Sequence, residues 1–205
     1  MNDYHNYVIK NGKFIGQFED MYQNCDDPWP ESESDLAENP VSAHTVTLIK
    51  KNRFKKLFTV GSGKGFHADW LQRQCPGLKV EGCEVSSTAI EYSKKYFPHI
   101  NTLQMDIKNF DKYKFDFDVI LFREILWYIL PQWDFVIKTL KKRYISKYII
   151  IEISCYDNQT YGREYFDGPD AIIKEFPFQI DEILRHHSSP DQKEGMLLIS
   201  AQIHQ

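Results

Sequence analysis

The sequence has 205 residues, 42% of them hydrophobic and 15% aromatic, which is enough to bury the core of one domain. Its net charge is −4, so the chain as a whole has no attraction for nucleic acid or for an anionic membrane. No stretch comes near the ~20 consecutive apolar residues of a membrane-spanning helix, and the first residues lack the apolar core of a signal peptide. We therefore expect a cytoplasmic protein without nucleic-acid or membrane partners.

The cysteines indicate neither a metal site nor a disulfide framework. They are scattered along the chain without the short Cys or His spacings of a zinc site. We expect reduced thiols that fill the core at Cys25, Cys75, Cys83 and Cys155.

The first 53 residues predict a helical cap or lid. The stretch "FIGQFEDMYQNC" has apolar side chains at helical spacing, and "NPVSAHTVTLIKK" predicts a second helix with Asn39 as its N-cap and Pro40 in its first turn. Between them lies "DDPWPESESD", which is polar except for Trp29. Held between two prolines, Trp29 either anchors the cap on the core or forms a lid that excludes water from a ligand.

From residue 54 to residue 205, apolar runs alternate with amphipathic ones, as in a chain of βαβ units. Strands are predicted at "KKLFTV", "LKVEGCEV", "INTLQMD", "VILF" and "YISKYIIIEIS". Helices are predicted at "HADWLQRQC", at "SSTAIEYSKKYF", from Pro131 to about Lys142, and near Pro169. The closing stretches "FQIDEILRHHSS" and "GMLLISAQIH", joined by "PDQKEG", predict a β-hairpin. The fold class is therefore α/β, a doubly wound, seven-stranded, mostly parallel sheet closed by an antiparallel C-terminal hairpin.

The glycine-rich stretch "VGSGKG" follows the first predicted strand. It is not a phosphate-binding P-loop, because Lys64 is followed by Gly65 and the upstream glycine is missing. A dinucleotide loop is disfavoured, because Phe66 occupies the position of the third glycine. The spacing of Gly61, Gly63 and Gly65 instead favours a nucleoside lying close to the backbone, with Lys64 facing solvent.

Acidic side chains follow the next two strands. Glu84 ends the second strand, where an acid can accept hydrogen bonds from ribose hydroxyls, and Asp106 ends the third, followed by apolar Ile107. Each acid alone is more simply explained as a helix cap. Their placement at successive strand ends, where α/β sheets bind ligands, favours a shared nucleoside site.

These stretches resemble the class I S-adenosylmethionine (SAM)-dependent methyltransferases, over roughly residue 54 to the C-terminus, in "VGSGKG", "VEGCEVSSTAIEYSKKYFP", "LQMDI", "FDVILFREILWYI" and the closing hairpin. The resemblance implies a Rossmann-like methyltransferase fold and SAM as cofactor, with S-adenosylhomocysteine (SAH) as product. It implies that the glycine loop faces the methionine part, that Glu84 holds the ribose, and that Asp106 contacts the adenine. The predicted cofactor contacts are Trp29, Thr59, Gly61, Ser62, Gly63, Gly65, Glu84, Val85, Asp106, Ile107 and Arg123. The segment "FEDMYQNCDDPW" also resembles the nodulation-type N-methyltransferases that act on sugars.

One position departs from the family pattern. The family usually has Asp or Glu two residues before the first glycine, where it binds the amino group of the cofactor, and this chain has Thr59. A threonine cannot neutralise an ammonium group, so another carboxylate must replace it if the cofactor binds. Glu124 and the acidic N-terminal segment are the candidates.

The resemblance implies methyl transfer to an oxygen or nitrogen of a small polar metabolite, most simply a sugar or sugar-linked intermediate of surface-glycan biosynthesis. The candidates for a catalytic base are Glu124 and one of two adjacent histidines, of which His187 is preferred to His186. Tyr128 is a candidate aromatic neighbour of the sulfonium. No metal is required, and the protein is expected to be a monomer or homodimer. The alternatives are a non-catalytic methyltransferase-like partner subunit and an NAD-dependent oxidoreductase.

Overall fold

The computed structural model describes residues 4–26, 28–29, 31–156, 159, 161–187 and 195–205. In this part of the chain seven strands form one sheet, in the order β3-β2-β1-β4-β5-β7-β6. The strands are β1 (Lys56–Val60), β2 (Lys79–Glu84), β3 (Asn101–Gln104), β4 (Val119–Arg123), β5 (Tyr148–Cys155), β6 (Ile180–His186) and β7 (Gly195–Gln202). Strands β1 to β5 are parallel, and β7 runs antiparallel to both β5 and β6. The predicted fold class is confirmed.

Nine helices are described in the same residues: α1 (His5–Val8), α2 (Phe18–Asn24), α3 (Glu33–Glu38), α4 (Pro40–Asn52), α5 (Phe66–Gln74), α6 (Ser87–Tyr96), α7 (Leu126–Ile129), α8 (Trp133–Arg143) and α9 (Pro169–Lys174). Short 3-10 helices cover Ile107–Lys112 and Leu130–Gln132. The predicted cap is present, since the Asn39 side chain accepts from the backbone N–H groups of Val41 and Ser42. The Ser86 side chain caps α6 in the same way by accepting from the N–H of Ala89. These caps satisfy backbone donors that the first helical turns leave unpaired.

The core lies on both faces of the sheet because alternate strand residues point to opposite faces. One face packs Leu57, Leu121 and Ile150 against helices α4 and α5. The other packs Phe58 and Phe122, with α8, into the larger core cluster. The central strands are buried on both faces, which explains why they read as continuous apolar runs.

The N-terminal region differs from the prediction at two places. Ile9–Lys10 and Lys13–Phe14 form a small antiparallel hairpin, so Phe14 is not in the predicted helix, which begins at Phe18. Asn11 and Gly12 have φ angles of 51° and 69°, the left-handed pair of a type I′ turn, which the Asn-Gly dipeptide favours. Helix α3 was not predicted either; it begins with a capping box between Ser32 and Asp35.

The later elements differ only at their ends. Strand β5 begins at Tyr148 rather than at 144, because Tyr144 caps α8 and Ser146 has a φ of 68° in the intervening turn. Ser188, Ser189 and the residues of the predicted hairpin loop before Gly195 lie outside the described residues, as does Pro30 beside Trp29. All four cysteines are buried thiols, as expected for residues that fill the core. None of the helices in the described ranges has the length and apolar character needed to cross a membrane.

Candidate functional site

The glycine loop joins β1 to α5 at the carboxyl end of the sheet. Gly61, Gly63 and Gly65 have φ angles of 70°, 55° and 90°, which side chains other than hydrogen rarely tolerate. The backbone N–H groups of Gly61 and Ser62 donate to the Cys83 carbonyl, so the loop folds against β2. The three glycines are therefore required by the backbone conformation.

The loop is also packed tightly by neighbouring elements. A Cβ atom on Gly61 would lie 2.6 Å from Ile125 Cγ2, and one on Gly63 would lie 2.9 Å from the Tyr22 hydroxyl. Tyr22 belongs to α2, so the N-terminal region lies directly over the loop. Lys64, predicted to face solvent, is partly exposed, and its ammonium also donates to the Asp26 carbonyl and lies 4.8 Å from the centre of the Tyr92 ring.

Glu84 ends β2 with its side chain only 6% exposed. One carboxylate oxygen accepts from the N–H of Gly63 at 2.9 Å, and the other accepts from the N–H groups of Val85 at 2.8 Å and Ser86 at 3.0 Å. Burial raises the pKa of this carboxyl, while the three backbone donors oppose the rise. The acid thus joins the glycine loop to the β2–α6 connection, and Val85 beside it presents an exposed apolar side chain.

Asp106 and Ile107 lie at the end of β3. The Asp106 side chain accepts from the Lys108 N–H at 2.9 Å and caps the following 3-10 helix, which is the structural role that the sequence also allowed. Its side chain remains 42% exposed, so carboxylate surface stays accessible at the strand end. Ile107 packs partly buried against the core.

Thr59 and Ser62 are both buried, at 5% and 8% exposure. Thr59 shares the sheet face of Leu57, and the Ser62 hydroxyl has no hydrogen-bond partner among the described residues. An unpaired buried hydroxyl is costly and marks a place where a ligand or water can bind.

Arg123 and Glu124 end β4 with different surroundings. The Arg123 guanidinium pairs with Glu31 from the N-terminal region, and its Nε lies 3.3 Å from a carboxylate oxygen of Glu152 on β5. Glu124 has a φ of 53°, and its carboxylate accepts from the N–H and hydroxyl of Ser154 at 3.0 and 2.9 Å. Burial raises the pKa of Glu124, opposed by Arg123 and the Ser154 hydrogen bonds. A half-buried acid with a left-handed backbone conformation at a strand end is typical of functional sites.

Tyr128 forms part of a cluster that we call the aromatic layer, made of Tyr4, Phe14, Phe18, Trp29, Tyr128 and Tyr161. The Trp29 indole N–H donates to the Tyr22 hydroxyl at 3.1 Å, which places Trp29 above the glycine loop. Burial, with Tyr4 and Glu124 nearby, raises the pKa of the Tyr128 phenol above its usual range. The phenol therefore stays protonated and can donate a hydrogen bond, but it is not a base.

Trp127, the neighbour of Tyr128 in the chain, is 6% exposed and donates its indole N–H to the Ser154 carbonyl. It packs in the core and presents no open ring face.

His187 follows β6, the outermost strand, and borders a surface depression with Cys155, Arg185 and Met196. The sheet order puts two strands between β6 and β4, so the structure does not bring His187 next to the glycine loop. His187 stays a prediction, and its surroundings are those of the outer edge of the sheet.

Sequence reasoning missed several polar contacts that the N-terminal region makes. Glu19 on α2 accepts hydrogen bonds from the side chains of Ser86, Ser87 and Thr88 at the start of α6. Glu31 and Glu152 were not singled out. The acidic character of the N-terminal segment was visible, but its partners lie 67 and 92 residues away, and no local pattern indicates them. Within the described residues, no three His, Cys, Asp or Glu side chains group as metal ligands.

Comparisons with known proteins bear on this geometry. A family model described as a methyltransferase domain matches residues 58–144. The N-methyltransferase NodS from Bradyrhizobium japonicum WM9, in complex with SAH, superposes with a TM-score of 0.65 at 18% identity, covering 96% of this chain and 100% of that one. The plantazolicin methyltransferase BpumL with SAH gives 0.57 at 15% identity, covering 88% and 92%.

TehB from Haemophilus influenzae gives a TM-score of 0.52 at 15% identity and covers 91% of this chain and 65% of that one. No curated protein matches the sequence. At these identities the solved structures show a common fold, and the family model adds the domain type. The resemblance predicted from the sequence is confirmed: the chain shares the Rossmann-like fold of these SAH-binding methyltransferases, and the model of a methyltransferase domain matches its residues 58–144.

Proposed function

We propose that this chain transfers a methyl group from SAM to an oxygen or nitrogen of a small polar metabolite, a sugar or sugar-linked intermediate of surface-glycan biosynthesis, in the cytoplasm. It acts as a monomer or homodimer without a nucleic-acid partner. The observation that carries the proposal is the arrangement around Glu84, whose carboxylate joins the glycine loop to an exposed apolar residue, Val85, at the sheet edge where α/β folds bind ligands.

The residues at this edge fit the cofactor. Glu84 offers carboxylate lone pairs beside the loop for ribose hydroxyls, and the accessible carboxylate of Asp106 suits an exocyclic amine. Val85 and Ile107 provide apolar surface for a purine ring. The unpaired hydroxyl of Ser62 adds a donor in the loop. When bound, the cofactor supplies an electrophilic methyl group.

The acceptor side is proposed to be built around Glu124. Its raised pKa makes the ionised carboxylate a better base, and Ser154 fixes its orientation. Glu124 accepts the proton of the acceptor hydroxyl or ammonium, while the Tyr128 phenol donates a hydrogen bond and the aromatic layer excludes water. His187 remains the alternative base.

The sugar class is supported by similarity alone. The N-terminal segment resembles that of nodulation-type N-methyltransferases, and the NodS structure aligns along nearly all of this chain. Fold similarity does not specify a substrate, so the acceptor requires a direct test.

A non-catalytic partner subunit is the second candidate function, and Thr59 favours it, because the position lacks the family's carboxylate. An NAD-dependent oxidoreductase is disfavoured, because the Phe66 ring packs 5.3 Å from Phe97 and 5.5 Å from Tyr92 where a dinucleotide fold has its third glycine.

Calorimetric titration of the full chain with SAM, SAH and NAD separates these candidates. Binding of SAM and SAH without NAD supports the methyltransferase, and no binding of any ligand supports the partner subunit. We expect Glu84→Ala and Asp106→Ala each to weaken SAH binding at least several-fold. The control is Asp116→Ala, which should leave SAH binding unchanged, because Asp116 pairs with Lys56 at the start of β1 and not at the carboxyl ends of the strands. Unchanged affinity in both site variants contradicts the assignment.

A further inference from the structure

The Arg123 side chain lies in a buried polar cluster that the sequence did not suggest. Its guanidinium pairs with Glu31, and Glu152 lies beside it in the sheet, because Arg123 and Glu152 are partners in the β4–β5 register. The Glu152 side chain is fully buried, and those of Arg123 and Glu31 are 14% and 13% exposed. The cluster is thus shielded from bulk water but reachable beside Glu31.

The charges in this cluster do not balance. Three carboxyl groups, from Glu31, Glu124 and Glu152, act on one guanidinium. His67 adds no positive charge, because burial and the neighbouring Arg123 lower its pKa well below the usual value. Excess negative charge in a shielded site is unfavourable unless a cation joins it or a carboxyl takes up a proton, and burial raises the pKa of Glu152 in that direction.

Two atoms of the cluster also lack hydrogen-bond partners among the described residues. Arg123 Nε and Glu152 Oε2 are 3.3 Å apart, but they are not aligned as a hydrogen bond, and each is otherwise unpaired. The other oxygen of Glu152 is occupied, since it accepts from the Thr45 hydroxyl. The site therefore leaves one donor and one acceptor unsatisfied side by side.

The cluster adjoins the glycine loop. Val60 pairs with Phe122 in the β1–β4 register, so Arg123 is next to the first loop residue, Gly61. Side-chain alternation places Arg123 on the same sheet face as Leu121 and its partner Thr59, the neutral residue. A ligand that extends from the loop toward β4 meets this cluster next.

We propose that the Arg123–Glu31–Glu152 cluster binds a zwitterionic α-amino acid group, with Arg123 holding its carboxylate and Glu31 and Glu152 holding its ammonium. This inference rests on the proposed function, in which that group is the amino-acid end of SAM. The Glu31–Arg123 pair opens on binding, and each member exchanges its partner for the oppositely charged half of the ligand. Because Glu31 comes from the N-terminal region, the bound amino acid group also ties that region to the sheet.

The test compares SAH with 5′-methylthioadenosine, which has the same nucleoside and thioether but no amino acid group. We expect wild type to bind SAH at least ten-fold more tightly than methylthioadenosine. Glu31→Gln and, independently, Glu152→Gln should weaken SAH binding about ten-fold and change methylthioadenosine binding less than two-fold. The matched control is Glu33→Gln, because Glu33 lies two residues from Glu31 but pairs with Arg73 outside the cluster. This variant should bind SAH and methylthioadenosine as tightly as wild type does.

The possible results are distinguishable. If wild type binds both ligands equally, or if Glu31→Gln affects both ligands to the same extent or neither, the inference is wrong while the proposed function stands. If wild type binds neither ligand, the proposed function fails and the inference fails with it. Because Glu31→Gln preserves the size and shape of a side chain that keeps 13% exposure, this variant is expected to fold, and an unchanged melting temperature checks this independently of the fully buried Glu152 variant.

Discussion

The contact between Glu19 and the start of helix α6 gives the most quantitative prediction. The Glu19 carboxylate accepts hydrogen bonds from the Ser86 hydroxyl at 2.7 Å, the Ser87 hydroxyl at 3.1 Å, and the hydroxyl and N–H of Thr88 at 2.6 and 3.3 Å. A carboxylate is favoured there, because the first turn of a helix has unpaired N–H groups and the positive end of its dipole. Removing the charge with Glu19→Gln should loosen α2 from the β2–α6 connection, next to Glu84.

The size of the effect follows from the pKa. The hydrogen bonds lower the pKa of Glu19 from 4.5 to about 2. A pKa difference of this size corresponds to about 3 kcal/mol before screening by solvent. Because the carboxylate is near the surface, we expect about 1 kcal/mol of unfolding free energy to depend on it. This stabilisation is fully present above pH 4.5 and is lost as the pH falls through 2, so it should be about halved at pH 3.

Urea denaturation of wild type and Glu19→Gln at pH 7 and pH 3 measures this difference. The control is Asp20→Asn, the adjacent exposed acid on the same helix, which should change stability by less than about 0.5 kcal/mol at either pH. Equal stability of wild type and Glu19→Gln at pH 7 would refute the reasoning, and so would a difference that is as large at pH 3 as at pH 7.

Three further outcomes are expected. Gly63→Ala should lower the free energy of unfolding by about 1–2 kcal/mol, because the residue has a φ of 55° and the added methyl group meets the Tyr22 hydroxyl. In a double-mutant cycle, Tyr22→Phe should recover part of this loss, and no recovery would contradict that contact. If Glu124 is the base, kcat/KM should rise with pH through a pKa above 4.5. Ser154→Ala should move this rise to higher pH, because it removes a hydrogen bond to the ionised carboxylate, and a pH profile that does not move argues against Glu124. Trp29→Ala should speed SAH dissociation in stopped-flow measurements, because the Trp29 indole N–H holds the aromatic layer on Tyr22 over the glycine loop. An unchanged dissociation rate would contradict the hypothesis that Trp29 is part of a lid.

The strands, the helices that alternate with them and the glycine loop could be predicted because their signals are local. Apolar runs such as "VILF" identify buried parallel strands, and residues such as Asn39 and Ser86 satisfy the first N–H groups of the next helix. The acids at strand ends could be predicted as well, because parallel strands bring their carboxyl ends to one edge. The hairpin at Asn11 and Gly12 was also signalled locally and was missed, since its strands are only two residues long.

The sequence by itself determined the α/β fold, the glycine loop and the strand-end acids Glu84 and Asp106. Only the tertiary structure decided which charges meet: Glu19 with the start of α6, Lys64 with the Asp26 carbonyl, and Arg123 with Glu31. The physical reason is that secondary structure and caps depend on neighbours within a few residues, whereas these pairs form across 38 to 92 residues and depend on how α2 and the segment after it lie over the sheet. The sequence pointed to a missing carboxylate at Thr59, and the fold places Glu152 on the sheet face that Thr59 shares, with Glu31 paired to the neighbouring Arg123.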